Sequence, residues 1–462
     1  MSGDGGSDRI RTISILWAVL LSAGVSFAKY SGGTGEANDP YRIATPNDMQ
    51  TIGANPGDWN KHFVEVTDIS LAAYTGTQFN IIGNITTKFT GVFDGNGHTL
   101  SNFSYGPTGN NYIGLFRWIA GNVSIKRLIL RDPNINGYDK VGSLVGYMES
   151  GGIVACGVSG ACVMGHSYVG GLVGLVDGGI LESCCYTGKV SGSGKGAGGL
   201  AGLSRGAIRD CGGMSVVVVG GDMTGGLVGT NWGTIRQSFS SGSVSGGIDA
   251  GGLVGLHGDV LYQGRIVENS YSTCTVSGDK NVGGLVGNDN LSYITKSSST
   301  GRVSGNEYVG GLLGVNVEGA IDNACFWETE SSGRNNMCGA QLYGGTGCDN
   351  AKGRSSAEMM TESTFTDAGW DFVGEVANGT EDTWRMCVDG VSYPLLSWEF
   401  TKGDLLCPDG VDLVDYSYLA DRWQDSNCGN SNDCDRADVD LSGVVDWADV
   451  RIFCQHWLEG TQ

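Results

Sequence analysis

Thr224-Gly-Gly-Leu-Val-Gly229 is a six-residue phrase that the chain repeats with small changes. It returns as Val141-Gly-Ser-Leu-Val-Gly146, Val169-Gly-Gly-Leu-Val-Gly174, Ala197-Gly-Gly-Leu-Ala-Gly202, Ala250-Gly-Gly-Leu-Val-Gly255, Val282-Gly-Gly-Leu-Val-Gly287 and Val309-Gly-Gly-Leu-Leu-Gly314. Ile113-Gly-Leu-Phe116 is a shortened forerunner. The first glycines stand at 114, 142, 170, 198, 225, 251, 283 and 310, so the steps are 28, 28, 28, 27, 26, 32 and 27 residues. A period this regular is the signature of a stacked-repeat architecture.

Each unit carries two further apolar stretches. One is led by isoleucine, as in Ile235-Arg-Gln-Ser-Phe-Ser240 and Ile266-Val-Glu-Asn-Ser-Tyr-Ser272. The other is a short valine segment, at Val190, Val244, Val276 and Val303. Three β-branched segments between glycine turns read as three strands per coil. A helix is excluded, because no stretch keeps a 3.6-residue apolar period free of glycine. One coil cannot bury its inward side chains, whereas stacked coils form a continuous aliphatic ladder. The expected fold is all-β: a right-handed parallel β-helix of about 27 residues per coil, with glycines at its corners where φ is positive.

The phrase resembles the GLUG motif of bacterial surface and secreted proteins, over about residues 113–327. The resemblance implies an exported β-helix. GLUG repeats also occur in some bacterial immunoglobulin-A peptidases that carry a zinc-binding HExxH. The five histidines here, at 62, 98, 166, 257 and 456, form no such pair, so that activity is not carried over.

A solenoid needs covered ends, since an open sheet edge templates further pairing. Upstream, in residues 29–112, Thr45-Pro46-Asn47-Asp48 reads as an N-cap with proline at the first helical position. Phe63 to Leu71 alternates as a first strand, and Phe93-Asp-Gly-Asn-Gly-His-Thr-Leu100 resembles a tight-turn phrase of pectin-lyase-like β-helices. Downstream, residues 328–402 read as a cap and connector over the last coil, with a helix near Ser356 to Met360. The alternative for its Trp370, Trp384, Tyr393 and Trp398 is an aromatic platform for sugars.

Composition bounds the partners. A net charge of −21 disfavours nucleic acid and anionic membranes and leaves cations as natural partners. Residues 1–28 read as a signal peptide: Arg9 and Arg11 precede the apolar run Ile13 to Val25, and Ser26-Phe27-Ala28 offers a cleavage site. No second long apolar stretch follows, so no membrane span is expected in the mature, secreted or surface-held chain. Fourteen cysteines, all after this segment, fit an oxidising compartment, with Cys338 and Cys348 the best local pair. Cys156, Cys184, Cys211 and Cys325 fall just after the coil isoleucines and read as buried small hydrophobes.

Acid concentrates at the end. From Asp404 onward there are 13 Asp/Glu against 3 Arg. Asp438-Val-Asp440-Leu-Ser442-Gly443-Val444-Val-Asp446-Trp-Ala-Asp449 sets oxygen side chains at loop positions 1, 3, 5, 9 and 12, with glycine at 6 and the Val444 carbonyl at 7. Calcium takes six to eight hard oxygens, and glycine at position 6 allows the bend. A degenerate earlier copy holds Asp404, Asp409, Asp412 and Asp415, and Trp423 follows Asp415 at the same distance as Trp457 follows Asp449. The duplicated loop-helix pattern over residues 403–462 resembles a dockerin. It implies a small α-helical calcium module, and a cohesin-like or other protein partner or surface attachment. Trp447-Ala448 and Leu413-Val414 depart from the Ser/Thr pairs common at the partner-recognition positions, which puts a cohesin in doubt.

No catalytic constellation appears. Asp139, Asp177, Asp222, Asp249, Asp279 and Glu307 lie in turns beside the glycine phrase without a recurrent paired pattern. The single long step, near 256–264, offers His257, Asp259 and Tyr262 as ligand-contact candidates, since an irregular loop in a regular repeat is where function tends to sit. The expected function is a secreted or surface scaffold or adhesin that binds extracellular polysaccharide or protein, attached through its calcium module. The alternative is a carbohydrate-active enzyme, a lyase or glycoside hydrolase, or a component of a polysaccharide-degrading system.

Overall fold

A computed structural model of the chain describes residues 29–107, 109–258, 265–400, 403–405, 411–426, 428, 434, 437–439 and 442–455. The leucine of each glycine phrase decides the architecture. Leu144 donates its N–H to Leu172, Leu172 to Leu200, Leu200 to Leu227, Leu227 to Leu253, Leu253 to Leu285 and Leu285 to Leu312, at 2.8–3.0 Å. All seven are buried in one continuous core that runs from Tyr30 to Met337. The chain is a parallel β-solenoid of about ten turns.

Each full coil contributes to four sheets rather than to three. In one coil these are Lys195–Gly198 (sheet 1, six strands), Ala201–Ser204 (sheet 2, nine), Ala207–Arg209 (sheet 3, eleven) and Gly212–Val219 (sheet 4, fifteen). Sequence reading missed sheet 1 because half of the glycine phrase forms it, with too few side chains to signal a strand. Strands in sheet 4 are long and bend at a register shift, as between Tyr186 and Lys189. The isoleucine-led stretch is divided between sheets 3 and 4, with Ile235 in Thr234–Arg236 and Phe239 in Phe239–Ser245, and the valine stretch runs on from its end.

The corners also differ from expectation. Two columns of positive φ mark them, and most members carry side chains: Tyr112, Lys140, Tyr168, Met223, Asp249, Asn281 and Tyr308 before sheet 2, and Arg127, Ala155, Ser183, Asp210, Gln237, Asn269 and Lys296 after sheet 3. A left-handed non-glycine residue costs about 1–2 kcal/mol. Inter-coil bonds offset it, such as Tyr168 N–H to Lys195 O at 2.7 Å. The phrase glycines answer to crowding instead. A Cβ on Gly142 would lie 2.7 Å from the Gly174 nitrogen of the next coil, and one on Gly174 would lie 2.5 Å from the Val141 nitrogen of the coil before. The first and last glycines of successive phrases therefore interlock.

At the N-terminal end, helix Pro46–Ala54 begins with a capping box between Thr45 and Asp48 and buries Met49 and Ile52. The expected strand over Phe63 to Leu71 is two strands, His62–Glu65 and Ile69–Ser70, in different sheets. At the other end, Cys338–Leu342 and Gly353–Arg354 add to sheets 2 and 4, and Cys338 is disulfide-bonded to Cys348. Residues 356–399, including helix Ser356–Met359, lie along the flank of sheet 4 rather than over the last coil. Trp370 and Trp384 are fully buried there with Phe239, Tyr271 and Phe326, and Trp398 Nε1 donates to Gln237 O at 2.8 Å. These rings therefore form no exposed sugar platform: they bind the connector to the solenoid. Among the described residues, no helix is long and apolar enough to cross a membrane.

Candidate metal centre and the solenoid columns

In the C-terminal module, helices Leu413–Asp421 and Trp447–Gln455 are equal in length, and each starts two residues before the last aspartate of its loop, Asp415 or Asp449. Their small core joins Leu405, Val411, Leu419, Val445 and Phe453, tied by the Cys428–Cys434 disulfide. Asp412 caps the first helix: its N–H donates to Asp415 Oδ2 at 2.9 Å and its Oδ1 accepts from Val414 N–H at 2.7 Å. Asp446 and Asp449 repeat this arrangement at 2.8 and 2.7 Å. Each pair is thus fixed by helix-start geometry, with the carboxylates set where the helix N-terminus favours negative charge.

The loop before the second helix is where the sequence places calcium. Asp438 accepts N–H bonds from Ser442 at 3.0 Å and Gly443 at 2.7 Å. Gly443 has φ +92°, the bend the loop needs. Asp438 and Asp449 are both buried, where a carboxylate gains from a cation close by. Residues Asp438, Ser442, Asp446 and Asp449 and the Val444 carbonyl would hold calcium, whose charge would offset the repulsion among the carboxylates. Asp440 and Asp409 lie outside the described residues, and Asp404 is buried next to Leu405, whose N–H donates to Asp415 Oδ1 at 2.7 Å. Among the described residues, no group of three or more His, Cys, Asp or Glu side chains converges as a metal site.

His257 is not at the surface. It occupies an inward column at the end of sheet 2 in which Asn231 pairs with His257, His257 with Asp289 and Asp289 with Asn316, all fully buried. In earlier coils this column is apolar, with Ile119, Met148 and Val176. Asn231 Nδ2 lies 3.1 Å from His257 Nδ1, and Asn231 and Asn316 each accept a backbone N–H of the following turn. Burial pushes the His257 imidazole down to about 4 and the Asp289 carboxyl up to about 7. Both side chains are fully buried in the core, so His257 cannot touch an outside ligand. Asp259 and Tyr262 lie outside the described residues.

The cysteine column is a hydrogen-bonded wire rather than a purely apolar one. Cys211 Sγ donates to Arg209 O at 3.1 Å, and Ser238 and Ser270 donate likewise to Arg236 O and Glu268 O at 2.7 and 2.8 Å. Each atom also accepts from the coil before: Cys184 N–H to Cys211 Sγ at 3.4 Å, Cys211 N–H to Ser238 Oγ at 3.2 Å. Cysteine and serine exchange freely here because both supply one donor and one acceptor.

Outside, the carboxylates are joined to basic residues one coil away. Asp94 meets Arg127 at 2.6 Å, Asp177 meets Arg205 at 2.6 Å, Glu268 meets Arg236 at 2.9 Å, Glu307 meets Lys280 at 2.9 Å, and Glu182 meets Arg209. Asp139 accepts from Ser167 N–H and lies 2.9 Å from His166 Nδ1.

No family model matches the chain. A stretch of 121 residues is 33% identical to halomucin of Haloquadratum walsbyi, covering 25% of this chain and 1% of that protein. A stretch of 122 residues is 33% identical to a protein named "Putative Gly-rich membrane protein" of Evansella cellulosilytica, covering 26% of this chain and 14% of that one. The chain thus spans a small part of either relative. Among solved structures, a "putative immunoglobulin A1 protease" of Bacteroides ovatus aligns over 80% of this chain and 96% of its own, at 16% identity and a TM-score of 0.43.

These likenesses name no site residue. The polar column through His257 escaped sequence reading because its members are spaced by the coil period, not by any local motif. Aligning the sequence on its glycine phrases and reading down each column would have found it.

Proposed function

We propose that this protein is a secreted or cell-surface scaffold of the GLUG type, whose solenoid flank binds extracellular glycan or protein. Its dockerin-like C-terminal module binds calcium and attaches the chain to a protein partner or surface. The observation that carries the scaffold reading is the inter-coil ion-pair pattern: Asp94, Asp177, Glu182, Glu268 and Glu307 each lie against an Arg or Lys. Glycoside hydrolysis needs two carboxylates facing one bond, one of them free to take up and release a proton. Carboxylates held by guanidinium or ammonium groups in successive coils suit a rigid, soluble surface better than proton transfer. The partial likenesses to halomucin and to a glycine-rich membrane protein agree with a surface location.

Two measurements test this reading. A glycan array followed by product analysis should give binding without cleavage; released oligosaccharide would decide for the enzyme. Calcium should raise the melting temperature of the C-terminal module in the full chain, and Asp438→Asn should abolish that rise. Identical melting curves in calcium and in chelator would remove the calcium half of the proposal.

A further inference from the structure

One column of the solenoid is bare. Reading along the corner that leads into sheet 1, each residue donates its N–H to the coil before: Tyr138 to Asn110, His166 to Tyr138, Gly194 to His166, Gly247 to Gly221, Asp279 to Gly247 and Asn306 to Asp279. Three adjacent coils place glycine here, at 194, 221 and 247, between stacked rings at one end and a carboxylate-amide pair at the other. Tyr138 is 47% exposed, and its ring lies on His166 at 4.8 Å and 5°. At the far end Asn306 Nδ2 donates to Asp279 Oδ1 at 2.7 Å.

The fold does not demand glycine throughout. Gly221 is confined, since a Cβ would lie 2.3 Å from Gly194 O. Gly247 has ordinary φ, and a Cβ there would meet nothing closer than the Asp222 carboxylate at 3.1 Å. At Gly194 the obstacles are side-chain atoms of Ser167 and His166. The missing side chains leave a cavity of about 400 Å³ lined by His166, Ser167, Ser193, Lys195 and Asp222 over Gly194 and Gly221. That volume is within the range of small-ligand sites. Its floor from Gly194 to Gly221 spans one coil step, or about 5 Å at ordinary strand spacing.

We propose that this glycine-floored cleft is a subsite for a neutral, extended oligosaccharide. His166, backed by the Tyr138 ring stacked on it, supplies an aromatic wall for the apolar face of a sugar ring. Ser167, Ser193, Lys195 and Asp222 supply donors and acceptors for its hydroxyls. Lys195 and Asp222 put one cation and one anion on the cavity lining, which suits an uncharged chain. Asp139 fixes the imidazole by its Nδ1. The inference rests on the glycan-binding half of the function proposed above and locates it.

Affinity electrophoresis of the full chain in gels containing xylan, glucomannan or polygalacturonate tests it, with circular dichroism as the check on folding. The wild type should be retarded by a neutral polysaccharide. His166→Ala and Gly194→Leu, which remove the wall and fill the floor, should each weaken retardation at least tenfold, and Tyr293→Ala on sheet 3 should not change it. Retention of binding in folded Gly194→Leu and His166→Ala would overturn the site while leaving the glycan reading standing. Retardation by polygalacturonate alone would overturn the neutral ligand. No retardation of the wild type in any gel would remove both this site and the glycan reading.

Discussion

Gly251→Ala strikes directly at the interlocked phrase glycines. A Cβ at 251 would lie 1.9 Å from Val254 O within its own phrase and 2.5 Å from the Gly287 nitrogen of the next coil. Ordinary contacts lie near about 3.5 Å, so the backbone must open by about 1 to 1.5 Å on two sides. Overpacking that side chains can absorb costs about 1–3 kcal/mol; here the obstacles are backbone atoms in two coils, which sets the expectation at about 3 kcal/mol or more. Gly157 is the control. It has ordinary φ and no heavy atom within 4 Å of its Cβ position, so Gly157→Ala should be neutral or stabilising by about 0.5 kcal/mol. Urea denaturation followed by circular dichroism reads both. Hydrogen exchange should show added opening confined to the coils around 251 and 287, because solenoid repeats contact only their neighbours. Equal stability of the Gly251→Ala and Gly157→Ala chains, within the scatter of the urea curves, would refute the interlocking of phrase glycines.

Two further outcomes follow from buried polar groups. Glu399 accepts from Tyr271 Oη at 2.9 Å where the connector meets sheet 4, and burial pushes its carboxyl up to about 7. Its neutral form is favoured in the folded state, so its stabilisation is full below pH 4.5 and is lost as pH rises through 7, by up to about 3 kcal/mol. Glu399→Gln should therefore match the wild type near pH 4.5 and hold the connector more firmly at pH 8, read by tryptophan fluorescence melting; an unchanged pH dependence would contradict this. Cys211→Ser should lie within about 1 kcal/mol of the wild type, because serine keeps both bonds of the column, whereas Cys211→Val leaves the Cys184 N–H without its acceptor and should cost about 1–3 kcal/mol more. Equal stabilities of the two variants in urea would count against the wire.

The glycine phrase made the stacking legible, since its period passes straight into the Leu144 to Leu312 column. The Thr45 cap, the Cys338–Cys348 pair and the helix at Ser356 were equally local and equally readable. What sequence reading missed depends on residues one coil apart. Positive φ at Tyr168 or Ala155 leaves no local mark, because bonds to the next coil, not glycine, sustain it. The alternative of a sugar platform for Trp370 and Trp384 is removed only by their burial against Phe239 and Phe326, far away in the chain. His257 looked like a loop residue because an insertion follows it, yet strand pairing with Asn231 and Asp289 turns it inward. The cleft over Gly194 and Gly221 is invisible locally for the same reason, as glycine is common in this chain.

The central claim, that successive coils lie directly on one another, is tested most directly by a distance along one outward column of sheet 3. Lys126 pairs with Val154, Val154 with Glu182, Glu182 with Arg209, Arg209 with Arg236 and Arg236 with Glu268. Spin labels introduced at Lys126 and Glu268 by chemistry that spares cysteine are then five strand spacings apart, about 24 Å between backbones. Double electron–electron resonance should give one narrow distribution near that distance, although the two positions are far apart in sequence. A broad distribution, or one centred well beyond about 35 Å, would mean that the coils are not stacked in this register.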